Sequence, residues 1–278
     1  MGRNEEYFHG VHVSETEKRL FQTREKVRKS TALHPGDMDA DDVDYEMQFP
    51  KDPEELVISG MNQSGLERFV ERYGRGYRRL NLNFCQHISD LSPLEELKEL
   101  EMVTIDWNIR AQRLWDMSKN PALWSFYLVS AKKISYEMEG LQTAKGLRKL
   151  KLLGPSNGGT YPMRTLECLS GLPSLEKLEL SYFKPEDRSI AFLDTLPSLR
   201  EFNFEAGLFT TEEIAQIVAK YPELHGEYLC ACNESLWGMR VSGYKKPTLS
   251  LPKDQKRLDK YCAEFEALVE KYKAELKK

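Results

Sequence analysis

Several short stretches of this chain carry residue types that do chemistry in other proteins, and each lacks part of the necessary set. Gly154 to Thr160 reads GPSNGGT and keeps the G-x-x-x-x-G spacing of a phosphate-cradling loop. Thr160 stands where that loop needs Lys, and Tyr161 where it needs Ser or Thr. Pro162 then disturbs the helix whose N-terminus would hold the anion. Asp37, Asp39 and Asp41 imitate the first ligands of a calcium loop, but its sixth position is Asp42 instead of Gly and its twelfth is Gln48 instead of Glu. Neither nucleotide nor calcium is expected, and the acidic stretch reads as a solvated linker.

The five cysteines, Cys85, Cys168, Cys230, Cys232 and Cys262, are odd in number and share no C-x-x-C or zinc-finger spacing. They predict free, mostly buried thiols in a reducing cytoplasm. The five histidines show no H-E-x-x-H spacing, and no Ser or Cys nucleophile motif accompanies them. Arg72 to Arg79 reads RYGRGYRR, a mixture found in some RNA-binding segments, yet its glycines fit a helix-to-strand turn. Gly2 lacks the Ser or Thr that myristoylation needs four residues on, where Glu6 stands. No catalytic residue, cofactor or metal is expected.

The whole chain supports that reading. Its 278 residues carry 40 Lys and Arg against 44 Asp and Glu, a formal net charge of -4, with both signs interspersed. Nucleic-acid binders usually carry a basic excess, so nucleic acid is not expected as a partner. No apolar run is long enough to span a bilayer, and MGRNEEYFHG has no apolar signal core, so a cytoplasmic protein without a membrane partner is expected.

What repeats in this sequence is structural. LSGLPSLEKLELSYF, from Leu169, is followed by LDTLPSLREFNFEAG, from Leu193, with Leu172, Leu175, Leu178 and Leu180 falling on Leu196, Leu199, Phe202 and Phe204. Alternate residues of a strand face the same way, so the L-x-L ending places two apolar side chains inward from a short strand. Similar pairs are Leu56/Ile58, Leu80/Leu82, Leu100/Met102, Phe126/Leu128 and Leu150/Leu152. First members at 56, 80, 100, 126, 150, 178 and 202 give steps of 24, 20, 26, 24, 28 and 24. An eighth strand is expected near Glu227 to Cys230, with Tyr228 and Cys230 inward. Capping boxes at Ser64/Glu67 and Thr210/Glu213 predict helices between strands.

The pattern resembles the leucine-rich repeat, and Ile88 to Met102 (ISDLSPLEELKELEM) is similar to internalin-like and other bacterial repeats. The resemblance covers residues 54–230. It implies a right-handed α/β solenoid with a parallel concave β-sheet, a helical or irregular convex side and a cap at each end. It also implies a scaffold that binds protein. The Asn or Cys three residues beyond the second inward position is met by Cys85 but not by Ile105, Ala131, Pro155, Phe183 or Gly207, so irregular turns are expected.

Three parts follow: a charged N-terminal flank or cap at 1–50, repeats at 51–232, and a C-terminal cap at 233–278. In the first, Ser14 to Lys29 suits a helix, and the segment before Glu54 suits a cover over the first strand. In the last, Trp237 to Leu251 suits a strand or hairpin. The final helix bears a seam of Leu258, Tyr261, Phe265, Leu268 and Tyr272, expected to pack on the last repeat of a monomer and not to form a homodimer.

On the inner face, residues between and after the inward pairs form three columns. Val103, Tyr127, Val129 and Leu153 make an apolar centre, with Glu99 and Glu101 on one side and Lys149, Lys151, Lys177 and Glu179 on the other. An apolar middle within a charged surround suits a non-enzymatic protein–protein interaction module that docks a protein or peptide. The competing reading pairs those Glu and Lys residues along the ladder. The other alternative makes the repeats a scaffold for an enzymatic or nucleic-acid-binding role in the flanks.

Overall fold

The computed structural model describes residues 37–49, 51–155 and 159–278, with the backbone alone of 7–8 and 11–12. The latter form a short antiparallel pair, β1 (Tyr7–Phe8) and β2 (Val11–His12). The helix expected over Ser14–Lys29 lies outside the described residues.

Seven strands form one parallel sheet: β3 (Glu55–Ser59), β4 (Arg79–Asn83), β5 (Met102–Asp106), β6 (Ser125–Val129), β7 (Lys149–Leu153), β9 (Lys177–Ser181) and β11 (Glu201–Phe204). They lie side by side in chain order. Inward residues from every strand join one core, which runs from Met38 at the front to Phe265 and Val269 at the back. Such a core exists only between stacked turns, because each turn offers its apolar side chains to its neighbours.

Within this ladder β5 departs from expectation. Leu80 pairs with Val103 and Leu82 with Ile105, so the inward residues are Val103 and Ile105, each 1% exposed, in place of Leu100 and Met102. The strands begin at 55, 79, 102, 125, 149, 177 and 201, which makes the steps 24, 23, 23, 24, 28 and 24. The uneven steps of 20 and 26 resulted from that three-residue slip. Leu100 is buried in the turn before the strand.

The register also restores a missing corner residue. Three beyond Ile105 stands Asn108, 2% exposed, whose Nδ2 donates to the carbonyls of Cys85 (3.0 Å) and Ile88 (2.9 Å). Its Oδ1 accepts from the backbone N–H groups of Arg110 and Ala111. Buried Asn120 does similar work at another corner, donating to the carbonyls of Leu94 and Leu97 and accepting from Trp115 Nε1.

The convex side mixes short helices with extended chain. Helix α2 (Gln63–Arg72) is capped by Asn62, whose Oδ1 accepts from Gly65 N at 3.0 Å, and not by Ser64 as the sequence pattern suggested. Helix α3 (Lys132–Glu137) follows β6, and several 3-10 turns fill other connections. β8 (Tyr161–Thr165) and β10 (Phe183–Asp187) add a separate parallel pair, and β8 lies within the 28-residue step. Helix α4 (Thr211–Lys220) carries the expected Thr210/Glu213 capping box.

The acidic stretch ahead of the repeats is built into the front end instead of forming a solvated linker. Met38, 1% exposed, bridges to Met61, and α1 (Ala40–Glu46) starts at a box in which Asp39 and Asp42 cap each other's backbone. Asp44 then receives Arg68 Nη1 at 2.9 Å and the Tyr73 hydroxyl at 2.8 Å.

At the back the parallel ladder ends in a single bridge, Glu201 to His225, so the eighth strand does not form. Tyr228 and Cys230 are half-buried beyond it. The chain instead builds an antiparallel sheet from β12 (Cys232–Ser235), β13 (Gly238–Val241) and β14 (Thr248–Leu249). The final helix α5 (Gln255–Glu275) packs beside α4 through Phe265, Leu268, Val269 and Tyr272, and against the antiparallel sheet through Leu258. Among the described residues, no helix is long and apolar enough to cross a membrane.

Candidate protein-binding surface

The ladder fixes which side chains line the concave face. The first column runs Glu55, Arg79, Met102, Ser125, Lys149, Lys177, Glu201; the second runs Val57, Asn81, Thr104, Tyr127, Lys151, Glu179, Asn203. The third runs Ser59, Asn83, Asp106, Val129, Leu153, Ser181.

Three expected face residues are therefore misplaced. Val103 belongs to the core, and Glu99 and Glu101 precede β5. Glu101 pairs with Arg78, which precedes β4, and this carboxylate raises the Arg78 pKa. The same device recurs three repeats later, where Arg148 meets Glu176 in a two-pronged pair at 2.8 and 3.0 Å and holds that carboxyl below its usual range.

The remaining expected residues do lie together on β6, β7 and β9, and two of the three lysines meet carboxylates across neighbouring strands. Lys151 Nζ is 3.1 Å from Glu179, Lys177 Nζ is 2.6 Å from Glu201, and Lys149 and Lys151 lie 5.1 and 5.9 Å from the centre of the Tyr127 ring. Pairs of this kind, across neighbouring strands, are what the competing ladder reading describes. Val129 and Leu153 are half-buried neighbours in register.

The other half of the face is of different character. Asn81, Asn83 and Ser125 are 6%, 2% and 0% exposed, and among the described residues Asn81 Oδ1, Asn83 Nδ2 and Ser125 Oγ have no hydrogen-bond partner. Buried polar groups are nearly always satisfied, so three unmet ones across β4 to β6 form an unusual cluster. Beside them lies an aromatic rim. The residue following five of the seven strands turns the chain in the left-handed region, with φ of 83° at Gly60, 50° at Phe84, 61° at Trp107, 51° at Ser130 and 64° at Tyr182. Glycine adopts this shape freely, whereas a bulky aromatic is strained in it by about 1–2 kcal/mol. Phe84 and Trp107 nevertheless stand there, their rings 5.3 Å apart and tilted by 32°, with Trp107 and Ile109 each 41% exposed. By contrast, Phe183 and Phe209 are buried plugs.

Sequence reasoning missed the Asn81–Asn83–Ser125 cluster and Phe84, because an unmet hydrogen bond and a positive φ leave no mark in spacing. Among the described residues, none on this face are arranged as a nucleophile and base. Burial pushes the Cys85 and Cys168 thiols up to about 12, far from a reactive thiolate. Among the described residues, no three His, Cys, Asp or Glu side chains form a metal-ligand set. The loop after β7 owes its first glycine to packing, since a Cβ on Gly154 would lie 2.2 Å from the Tyr182 carbonyl oxygen. A cavity of about 660 Å³ lies elsewhere, between α4, α5 and the β13–β14 loop, lined by Thr211, Tyr244, Tyr261 and Leu268.

One parallel strand per turn in chain order, inward L-x-L pairs and an Asn or Cys at the corner define a leucine-rich-repeat solenoid. No protein-family model matches the chain, and no curated protein matches it in sequence. Among solved structures it is similar to internalin C2 from Listeria monocytogenes str. 4b F2365, at 18% identity over 55% of this chain, with a TM-score of 0.39. It is also similar to an internalin, inlF, of the same strain, at 17% identity over 75% of this chain and 67% of the other, with a TM-score of 0.36. The match spans 61% of the length of internalin C2.

Proposed function

We propose that this protein is a non-enzymatic interaction module whose concave face, over β4 to β6 and its aromatic rim, binds an extended segment of another polypeptide. The observation that carries this reading is the aromatic rim beside the Asn81–Asn83–Ser125 cluster, where Trp107, 41% exposed and held at a positive φ, lies against the ring of Phe84. Phe84 and Trp107 then give a side chain of the partner an aromatic surface. Strained residues held by the surrounding fold are a recurrent feature of ligand-contacting positions. Met102, Thr104, Val129 and Leu153 supply half-exposed floor between the two.

Lys177, paired with Glu201 at the surface, lies beside this site and orients the partner without contributing most of the affinity, because charges already matched on the surface add little.

The test is recovery of a partner from the native cell with the whole chain as bait. One polypeptide captured in stoichiometric amount, lost with Thr104→Arg or Trp107→Gly and kept with Lys177→Glu, supports the site. Capture of that polypeptide by a folded Thr104→Arg protein rules this face out.

A further inference from the structure

In the C-terminal cap, Cys232 at the start of β12 and Cys262 in α5 bring their sulfurs to 3.9 Å, although they are 30 residues apart in the chain. Both are half-buried, and they flank the small core of Val241, Leu249 and Leu258 that joins the antiparallel sheet to the helix. The third thiol nearby, Cys230, is engaged elsewhere, its Sγ lying 3.1 Å from the Cys232 carbonyl oxygen and 3.4 Å from that of Glu227. Thiols in van der Waals contact need only small side-chain rotations to reach bonding distance, provided the backbone holds them opposite one another. Here the sheet holds one and the helix the other.

We infer that Cys232 and Cys262 are a disulfide-forming pair, a covalent modification site that staples the terminal helix to the cap when the protein meets an oxidised thiol such as glutathione disulfide. The exchange balances in two steps. The Cys262 thiolate attacks one sulfur of glutathione disulfide, the S–S bond breaks and one glutathione thiolate leaves with the electron pair. The Cys232 thiolate then attacks the Cys262 sulfur of the mixed disulfide, forms the new bond and releases the second glutathione. Two protein thiols are oxidised, glutathione disulfide is reduced to two glutathione molecules, and the two thiol protons pass to them.

Geometry favours the bond while protonation slows it. Burial first, then the Cys262 hydrogen bond, pushes the Cys232 thiol up to about 11. At neutral pH the second step therefore waits on a rare thiolate and speeds up about tenfold per pH unit in mildly alkaline solution. The helix is then tethered across an intervening loop. Closing that loop removes freedom from the opened state more than from the packed one, so the helix opens less often.

The experiment uses the full chain, reduced and then incubated with glutathione disulfide between about pH 7 and pH 9. Expected are a mass loss of about 2 Da, a fall in free thiols from five to three, and a peptide map joining Cys232 to Cys262. Amide exchange in α5 should slow by roughly a hundredfold and recover with dithiothreitol. Cys230→Ser should keep the bond, whereas Cys232→Ser and Cys262→Ser should each leave only mixed disulfides. A bond joining Cys230 to either neighbour, no bond at pH 9 in folded protein, or unchanged exchange in α5 overturns the inference.

Discussion

Asn108 and Cys85 occupy the same position in consecutive repeats, and the side-chain amide of the first donates to the backbone carbonyl of the second at 3.0 Å. That contact bridges two turns of the solenoid at a corner where both chains would otherwise bury unmet polar groups. Replacing Asn108 with Ala abandons the carbonyls of Cys85 and Ile88 and the N–H groups of Arg110 and Ala111. Each orphaned buried group costs about 1–3 kcal/mol, partly relieved by water. Asn108→Ala should therefore lose about 3 kcal/mol, read as a lower urea midpoint, and Asn108→Leu should do no better.

Trp107 separates binding from stability. Trp107→Gly relieves a left-handed backbone worth about 1–2 kcal/mol and forfeits ring contact with Phe84 worth about 0.5–1.5 kcal/mol, so the two nearly cancel. The melting temperature should stay within a few degrees while partner capture is lost. Trp107→Val keeps the strain and loses the stacking, and should melt below both.

Two glycines make opposite predictions. A Cβ on Gly154 would meet the Tyr182 carbonyl oxygen at 2.2 Å, so Gly154→Ala must spread neighbouring repeats and should cost about 2 kcal/mol or more. A Cβ on Gly207 meets nothing within 4 Å and its φ is not positive. Gly207→Ala should be neutral or stabilise by about 0.4–1 kcal/mol through the unfolded chain. Denaturant melts of the pair check both signs.

Acid should loosen the back of the solenoid at Asp194. Hydrogen bonds from Lys220 and then Tyr221 hold its carboxyl below the usual value, so the folded form binds that proton more weakly than the unfolded chain. Its contribution is complete above the unfolded carboxyl value of about 3.9 and is lost as pH falls through the lower folded value. Asp194→Asn should reduce stability at pH 7 and flatten the decline below about pH 4, measured as urea midpoints down the pH series.

How much of this was legible in the letters is clearest at β5. The stretch ELKELEMVTID contains two alternating apolar pairs, Leu100/Met102 and Val103/Ile105, and either satisfies the rule that alternate residues share a face. The clue lay in longer spacing. Leu172, Leu175, Leu178 and Leu180 follow intervals of three, three and two, and so do Leu97, Leu100, Val103 and Ile105. The β-branched Val-Thr-Ile run also suits a strand better than Leu-Glu-Met. With that register, Asn108 falls on the corner position that had looked empty. The face was less legible: the lysines and Glu179 were placed near one another and their pairing along the ladder stood as the competing reading, but the unmet Asn81, Asn83 and Ser125 were not foreseen.

By itself the sequence determined a stack of seven similar turns, because a turn of about 24 residues cannot bury its own apolar side chains and the repeated pattern supplies each with a neighbour. Only the tertiary structure decided the pairing of β5, the single bridge that ends the ladder at His225, the antiparallel cap and the meeting of Cys232 with Cys262. Local periodicity says which side chains share a face. Register and end contacts join residues distant in the chain, and their energies depend on what lies opposite once the turns are stacked.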